Sequence, residues 1–244
     1  MVTRIPALLS PPIGFAHRGG SAHARENTLE AFLLAHEMGA TGIETDAWVT
    51  ADGAVVLHHD RFVGPLQGAT VRRILGRRIA GTLRSRLPAY VPSLDDYYQH
   101  CGSGLPLSVD VKDNKAFDGV ITSARKHQAS EHLWICHSRV ETLMAWRSEA
   151  AEVRLVHSTR LNRLPHGPER HAADLAAANI DAVNFHRDDW NGGLTTLYHR
   201  FGLLALGWDA QQVHQIAELV DAGIDGFYSD HVDRITETLA RFYS

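Results

Sequence analysis

Seven side chains in the first half of the chain are of types that move protons or hold anions and cations: His17, Arg18, Glu44, Asp46, His59, Asp110 and Lys112. Glu44 and Asp46 stand two residues apart in the apolar run Gly42–Val49, so on a strand they share one face. Two carboxylates side by side in a low-dielectric setting repel, and a divalent cation between them removes that cost. Asp110 ends another apolar run and could supply a third oxygen. Such hard ligands favour Mg²⁺ or Ca²⁺ over zinc. Salt bridges to nearby arginines give the same pattern, and both readings stand. Lys112 shares a face with Asp110 and would aim a cation at whatever the metal holds. Arg18 offers a fork suited to phosphate oxygens. Together these residues describe a site for a phosphoryl group, with a structural ion network of Lys112 and Glu44 or Asp110 as the alternative. His17 and His59 have ordinary pKa values near ~6.5 and suit proton transfer in either direction. His58 is adjacent to His59 and points the other way, so at most one of the two faces the carboxylates.

The elements that must position these groups follow from apolar periodicity. Ile13–His17 reads as a strand. A helix follows, with Asn27 as cap and Glu30 three residues on, Leu29, Phe32, Leu33 and His36 on one face, and Gly39 at its end. After strand 42–49, Asp52-Gly53 signals a hairpin, so Val55–Leu57 is expected as an antiparallel arm. Residues 61–92 break the rhythm with Gly64, Pro65, Gly68, Gly76, Gly81 and the arginines 72, 73, 77, 78, 84 and 86. This stretch is expected as a small excursion with one short helix, its basic residues forming a solvated face in preference to a lid over an anionic substrate. From Ser93, which caps a helix, strands and helices alternate to the end. Setting the arm aside, eight strands end at His17, Asp46, Lys112, Ser138, Ser158, His186, Asp209 and Asp230. That is the arithmetic of an α/β fold, a (β/α)8 TIM barrel with a short insertion after the second-strand hairpin, in one domain over residues 1–244. The barrel also explains why polar residues collect at strand C-termini. An open doubly wound sheet would more often bring a Gly-rich phosphate turn, and no GxGxxG or Walker loop occurs.

Composition narrows the function classes. At 44% hydrophobic and 21% charged, the chain is expected to be an ordinary soluble globular protein. A net charge of −4 gives no reason to expect a nucleic-acid partner. No apolar run approaches ~18 residues, and the start MVTRIPALLSPPIG lacks the apolar core of a signal peptide. Cys101 and Cys136 lack metal-type spacing and read as two buried reduced thiols, which suits a cytoplasmic location. Most of the sixteen histidines, His36, His100, His127, His171, His199 and His214 among them, fall on helical segments and read as exposed or internally satisfied.

The ordered set HRG (17–19), ENT (26–28), E-x-D (44–46), HD (59–60), D-V-K (110–112) and AGIDGFYSD near the end resembles the glycerophosphodiester phosphodiesterase family over nearly the whole chain. The resemblance implies a (β/α)8 enzyme that hydrolyses glycerophosphodiesters to glycerol phosphate and an alcohol with a divalent cation. It implies His17 and His59 as the acid/base pair, Glu44, Asp46 and Asp110 as metal ligands, and Arg18, Lys112 and Trp208 at the substrate. Three departures stand out. Asp110-Val-Lys112 replaces the family's usual E-x-K, a feature shared with the related sphingomyelinase D-like phospholipases. Trp208-Asp209-Ala210-Gln211 replaces WTVN, and residues 61–66 differ from the usual continuation after the HD pair. A phospholipase D-type activity on lysophospholipids or sphingolipids is therefore a second reading, and a non-catalytic barrel that binds phosphorylated ligands a third. Both histidines, all three carboxylates and Lys112 are present, which argues against the third.

Overall fold

The computed structural model describes residues 4–64 and 76–243. Eight parallel strands close on themselves: β1 (Ile13–Ala16), β2 (Gly42–Val49), β6 (Leu107–Val111), β7 (Leu133–His137), β8 (Arg154–Ser158), β9 (Ala182–His186), β10 (Leu204–Trp208) and β11 (Gly226–Ser229). Closure comes from β1, which pairs with β2 through Phe15 and Gly42 and with β11 through Ile13 and Gly226. Gly42 is required there, because a Cβ would lie 2.7 Å from Phe15 Cδ1 and from Ile13 Cγ2. The remaining paired strands sit outside the ring. β3 (Val55–Leu57) returns antiparallel to β2, as the Asp52-Gly53 turn requires, and Gly53 takes a φ of +84°. β4 (Phe62–Val63) and β5 (Arg77–Arg78) form a two-stranded ribbon.

Side chains alternate between two cores. Inside the ring, Phe15, Trp134, Cys136, Val156, Ala182, Leu206 and Tyr228 fill the barrel, with Phe15 stacked on Tyr228 at 4.9 Å between ring centroids. Their neighbours along the strands, such as Ala16, Ile135, Val183 and Phe227, pack outward against the helices. The described helices of two turns or more are Leu29–Glu37, Leu94–Cys101, Phe117–Lys126, Val140–Arg147, Gly167–Ala177, Gly192–Arg200, Val213–Asp221 and Val232–Tyr243. None is long and apolar enough to cross a membrane. At the N-terminal end of the barrel the fully buried Asp225 carboxylate accepts the amides of Leu8, Leu9 and Ala205 and contacts His199 Nε2 at 2.8 Å. One side chain thus ties the N-terminal segment to two staves and a helix.

The structure corrects the sequence reading in three places. Thr28, not Asn27, caps the first helix, its Oγ1 accepting the Ala31 amide. The helix buries Ala31, Phe32 and Ala35, whereas Leu33 and His36 face outward, because its buried side packs on the helix Leu94–Cys101, with Phe32 edge-on to Tyr97 at 5.2 Å, and on the turn at His17–Gly19. Cys136 is buried but Cys101 is only half-buried, and both are free thiols. In the 61–92 excursion the described parts are the β4–β5 ribbon and single turns at Ile79–Gly81 and Arg84–Arg86. Arg77, Arg78 and Arg86 are exposed there, as a solvated basic face requires. Arg72, Arg73 and the expected short helix lie outside the described residues.

Candidate active site

Every sequence-predicted strand end lies at one rim of the barrel, and a 360 Å³ pocket opens there. His17, Arg18, Glu44, Asp110, Trp208, Asp209 and Asp230 line it. A larger concavity of 830 Å³ lies between the helices Val140–Arg147 and Gly167–Ala177 and contains none of these groups. Chemistry, not size, identifies the mouth.

The HRGG sequence builds the first corner. Arg18, Gly19 and Gly20 all have positive φ, of 52°, 82° and 81°. At Gly19 a Cβ would come within 2.8 Å of Phe32 and 2.9 Å of the Ala31 Cβ, so only glycine lets the chain turn this close to the first helix. The turn aims the Arg18 amide at Glu44 Oε2, 2.9 Å away. It also presents His17, whose Nδ1 lies 2.6 Å from Asp230 Oδ1 and whose Nε2 faces Glu44 Oε2 at 3.8 Å. With Nδ1–H donated to Asp230, the neutral ring keeps its lone pair on Nε2, facing the pocket. Burial alone would lower the His17 pKa, but the Glu44 and Asp230 carboxylates outweigh it and raise it.

Glu44 and Asp46 both face into the barrel, 6% and 2% exposed. Their charges are compensated unequally. Burial would raise the Asp46 pKa, but Lys112, Arg18, His59 and the Asn27 amide together hold it below the usual carboxylate range. Lys112 Nζ reaches Asp46 Oδ1 at 3.0 Å and also bonds Asp110 Oδ2, while Arg18 Nε is 3.4 Å from Asp46 Oδ2. Glu44 has less help. Burial, with Asp46 adding to it against the opposing charge of His17, pushes its carboxyl up to about 7. Asp110 also raises it. A divalent ion fits that donor set, with Glu44, Asp46 and Asp110 as the oxygens that would hold it. The expected alternative for Lys112 is also realised in part, because its ion pairs are to Asp46 and Asp110, not Glu44.

His59 lies just beyond the β3 arm, its side chain 36% exposed and its Nδ1 3.0 Å from Asp60 Oδ1. It is near enough to Asp46 to lower that carboxyl's pKa. His58 is buried, and its Nδ1 lies 2.8 Å from the Asp60 carbonyl. The two histidines thus part as strand alternation predicts. Trp208 forms a wall of the pocket, edge-on to His186 at 4.5 Å.

Three contributors escaped the sequence reading. Asn27 adopts a φ of 54° and sends its amide to Asp46 Oδ2 at 3.0 Å while its carbonyl oxygen accepts from Thr45 Oγ1. Its place in the ENT motif was the available signal, and capping was the wrong inference from it. Asp230 orients His17 and also accepts from Ser21 Oγ at 2.7 Å. The pocket floor is a layer of Ser108, Cys136 and Tyr228, with the Tyr228 hydroxyl 3.1 Å from Ser108 Oγ. Burial pushes the Cys136 thiol up to about 12, so it is an inert part of that floor.

Residues 17–87 match the glycerophosphoryl diester phosphodiesterase family. A human protein, glycerophosphodiester phosphodiesterase 1, is 38% identical over 108 residues, covering 40% of this chain and 33% of its own length. A glycerophosphodiester phosphodiesterase of Caldanaerobacter subterraneus is 52% identical over 48 residues, 20% of each chain. These matches span a third or less of the curated relatives. Among solved structures, the glycerophosphodiester phosphodiesterase of Thermotoga maritima superposes with a TM-score of 0.78 at 20% identity, over 93% of this chain and 97% of that one. An Oleispira antarctica phosphodiesterase, solved with the product sn-glycerol-3-phosphate, gives a TM-score of 0.79 at 19% identity, over 94% and 97%. The solved structures share the barrel, and the matched segment carries the HRG, ENT, E-x-D and HD motifs whose side chains meet at its mouth. Over residues 17–87 the chain is similar to the glycerophosphodiester phosphodiesterase family, and over nearly its whole length it has the barrel fold of that family's solved structures.

Proposed function

We propose that this protein hydrolyses glycerophosphodiesters to glycerol phosphate and an alcohol at the pocket lined by His17, Glu44 and Asp230. The observation that carries the reading is His17 itself, oriented at Nδ1 by Asp230 with Nε2 turned toward Glu44. The glycerol phosphate bound by the Oleispira neighbour is the product this reaction would leave.

Glu44, Asp46 and Asp110 would hold a divalent cation, Mg²⁺ or Ca²⁺, which would supply positive charge at the phosphate and favour loss of the attacking hydroxyl's proton. Arg18 and Lys112 bring positive charge to the same mouth. Their present partners, Glu26, Asp46 and Asp110, keep both cations from extending into solvent. Trp208 offers a flat face for the non-phosphate part of the substrate. A glycerol head carries a hydroxyl next to the phosphoester. Its attack on phosphorus is intramolecular and has a large effective-molarity advantage over attack by water. One of His17 and His59 takes the hydroxyl proton and the other protonates the departing alcohol, leaving a cyclic phosphate. Water then opens the ring with the histidine roles reversed. The two free thiols, Cys101 and Cys136, suit the cytoplasm. Residues 1–244 are read as one domain, with 61–92 as an excursion beside the mouth.

The test is release of glycerol phosphate from a panel of glycerophosphodiesters and lysolipids, before and after exhaustive EDTA treatment and after restoring Mg²⁺ or Ca²⁺. Turnover that is lost to EDTA and recovered with metal supports the reading. Full turnover in EDTA removes the cation, and no turnover on any diester removes the activity.

A further inference from the structure

On the outer side of the Asp230 corner, His23, His231 and Asp233 bring three metal-binding atoms within 4.8 Å of one another. This is the one such triad of His, Cys, Asp or Glu among the described residues. None of the three lines the pocket at the barrel mouth, so the cluster is separate from it. His23 Nε2 is 3.1 Å from Asp233 Oδ1, and His231 Nδ1 is 4.0 Å from the same oxygen. A tetrahedral zinc with bonds of ~2.1 Å needs donors about 3.4 Å apart. The two spacings bracket that value, and small rotations of half-exposed side chains reach it.

A second observation points to a cation. The Val232 amide donates to His23 Nε2 at 3.1 Å, so that nitrogen carries a lone pair and the ring proton sits on Nδ1. The same Nε2 therefore cannot donate to Asp233. Two acceptors face each other at 3.1 Å with no hydrogen between them. A proton placed on Nε2 would relieve that contact and confront the Val232 N–H instead. A metal ion bound by Nε2 relieves it while using the tautomer already present. It releases only a first-turn amide, one of those that no helix satisfies internally.

From this we infer that His23, His231 and Asp233 form a transition-metal site, with zinc the best match to two imidazoles and one carboxylate. The side chains are 22%, 29% and 57% exposed, which leaves the ion a solvent-facing position for water. The site joins the loop after β1 to the start of the last helix. Asp230 lies between these segments, its carbonyl accepting the Ala22 amide and its carboxylate holding His17 and Ser21. Zinc bound here braces the carboxylate that orients His17 without touching the substrate pocket.

The experiment is a calorimetric titration of the whole protein with Zn²⁺ in millimolar Mg²⁺ and Ca²⁺, which occupy the mouth. The parallel probe is visible absorption of bound Co²⁺. Wild type should take up one equivalent, and zinc should raise its Tm. His231→Ala and Asp233→Ala should bind at least tenfold more weakly while keeping the far-UV spectrum and the Tm measured in EDTA. A Glu44→Gln/Asp110→Asn double variant should bind zinc as wild type does. Equal binding by His231→Ala and wild type, loss of binding in the double variant, or no uptake by wild type would each overturn the site.

Discussion

His17 and His59 share a construction that explains why neither works alone in the sequence. Each has its Nδ1 against a carboxylate, Asp230 in one case and Asp60 in the other. The orienting residue of His17 is 213 positions away, so no local motif announces it. Asp230→Asn should keep the fold yet reduce kcat by about 10²-fold or more, the usual range for losing a positioned acid or base. The Asp230 carboxylate raises the His17 pKa. The limb of the pH–rate profile that belongs to His17 should therefore move to lower pH in the variant. An unchanged profile would remove Asp230 from the mechanism. His58→Ala should cost far less turnover than His59→Ala, because His58 is buried against the Asp60 carbonyl while His59 lies near Asp46. The opposite order of kcat losses would exchange their roles.

A different pair of histidines acts at the scale of elements. His157 on β8 and His171 on the helix Gly167–Ala177 form a directed chain. His157 Nε2 meets the Ser138 carbonyl, which can only accept, so its Nδ1 must accept from His171 Nε2 at 2.8 Å. His171 Nδ1 is then left to accept the Tyr198 hydroxyl at 2.7 Å. Both rings are thereby fixed as neutral, and a proton on either one breaks a bond that packs helix on strand. Burial, then the nearby His157, brings the His171 pKa down to about 4, and burial lowers that of His157 as well. Between ~6.5 and about 4 the unfolded chain holds more protons on His171 than the folded one does. Its contribution is therefore complete above ~6.5 and is lost as pH falls through that window. Urea midpoints should drop from pH 7 to pH 4.5, and His171→Gln should show a shallower drop. Parallel slopes in variant and wild type would assign the acid sensitivity elsewhere. Of the two sequence readings of His171, exposed or internally satisfied, the second holds, but its partners His157 and Tyr198 come from two other segments and could not be named in advance.

Across the whole molecule, what was legible follows one distinction. Features set by local periodicity, the eight staves, the antiparallel arm and the collection of polar residues at one rim, were readable because a strand or turn declares itself within a few residues. Motif order added the acid/base and carboxylate candidates. What stayed hidden depends on distance along the chain. Asn27 read as a cap because three residues of context suggest capping, whereas its Asp46 partner comes from the next stave. Asp225 gave no sign of linking Leu8, His199 and Ala205. The register of the first helix also needed its neighbours, since the expected stripe and the buried one share Phe32 and differ by about one residue's turn, which only packing decides.

The manner of closure also bears on synthesis. β1 leaves the ribosome first and can pair with β2 at once, but its other edge waits for β11 at Gly226–Ser229. Until then the nascent chain is an open sheet with raw edges at β1 and β10, the sort of edge that recruits other strands. The barrel is sealed only once β11 has been made, so a product that stops short of it is an aggregation hazard and not a smaller barrel. A chain stopped after Gly223 should accordingly be cut rapidly by protease and associate with its own kind, while the chain of residues 1–244 resists both. Protease resistance and a monodisperse profile in the shortened chain would mean that seven staves suffice.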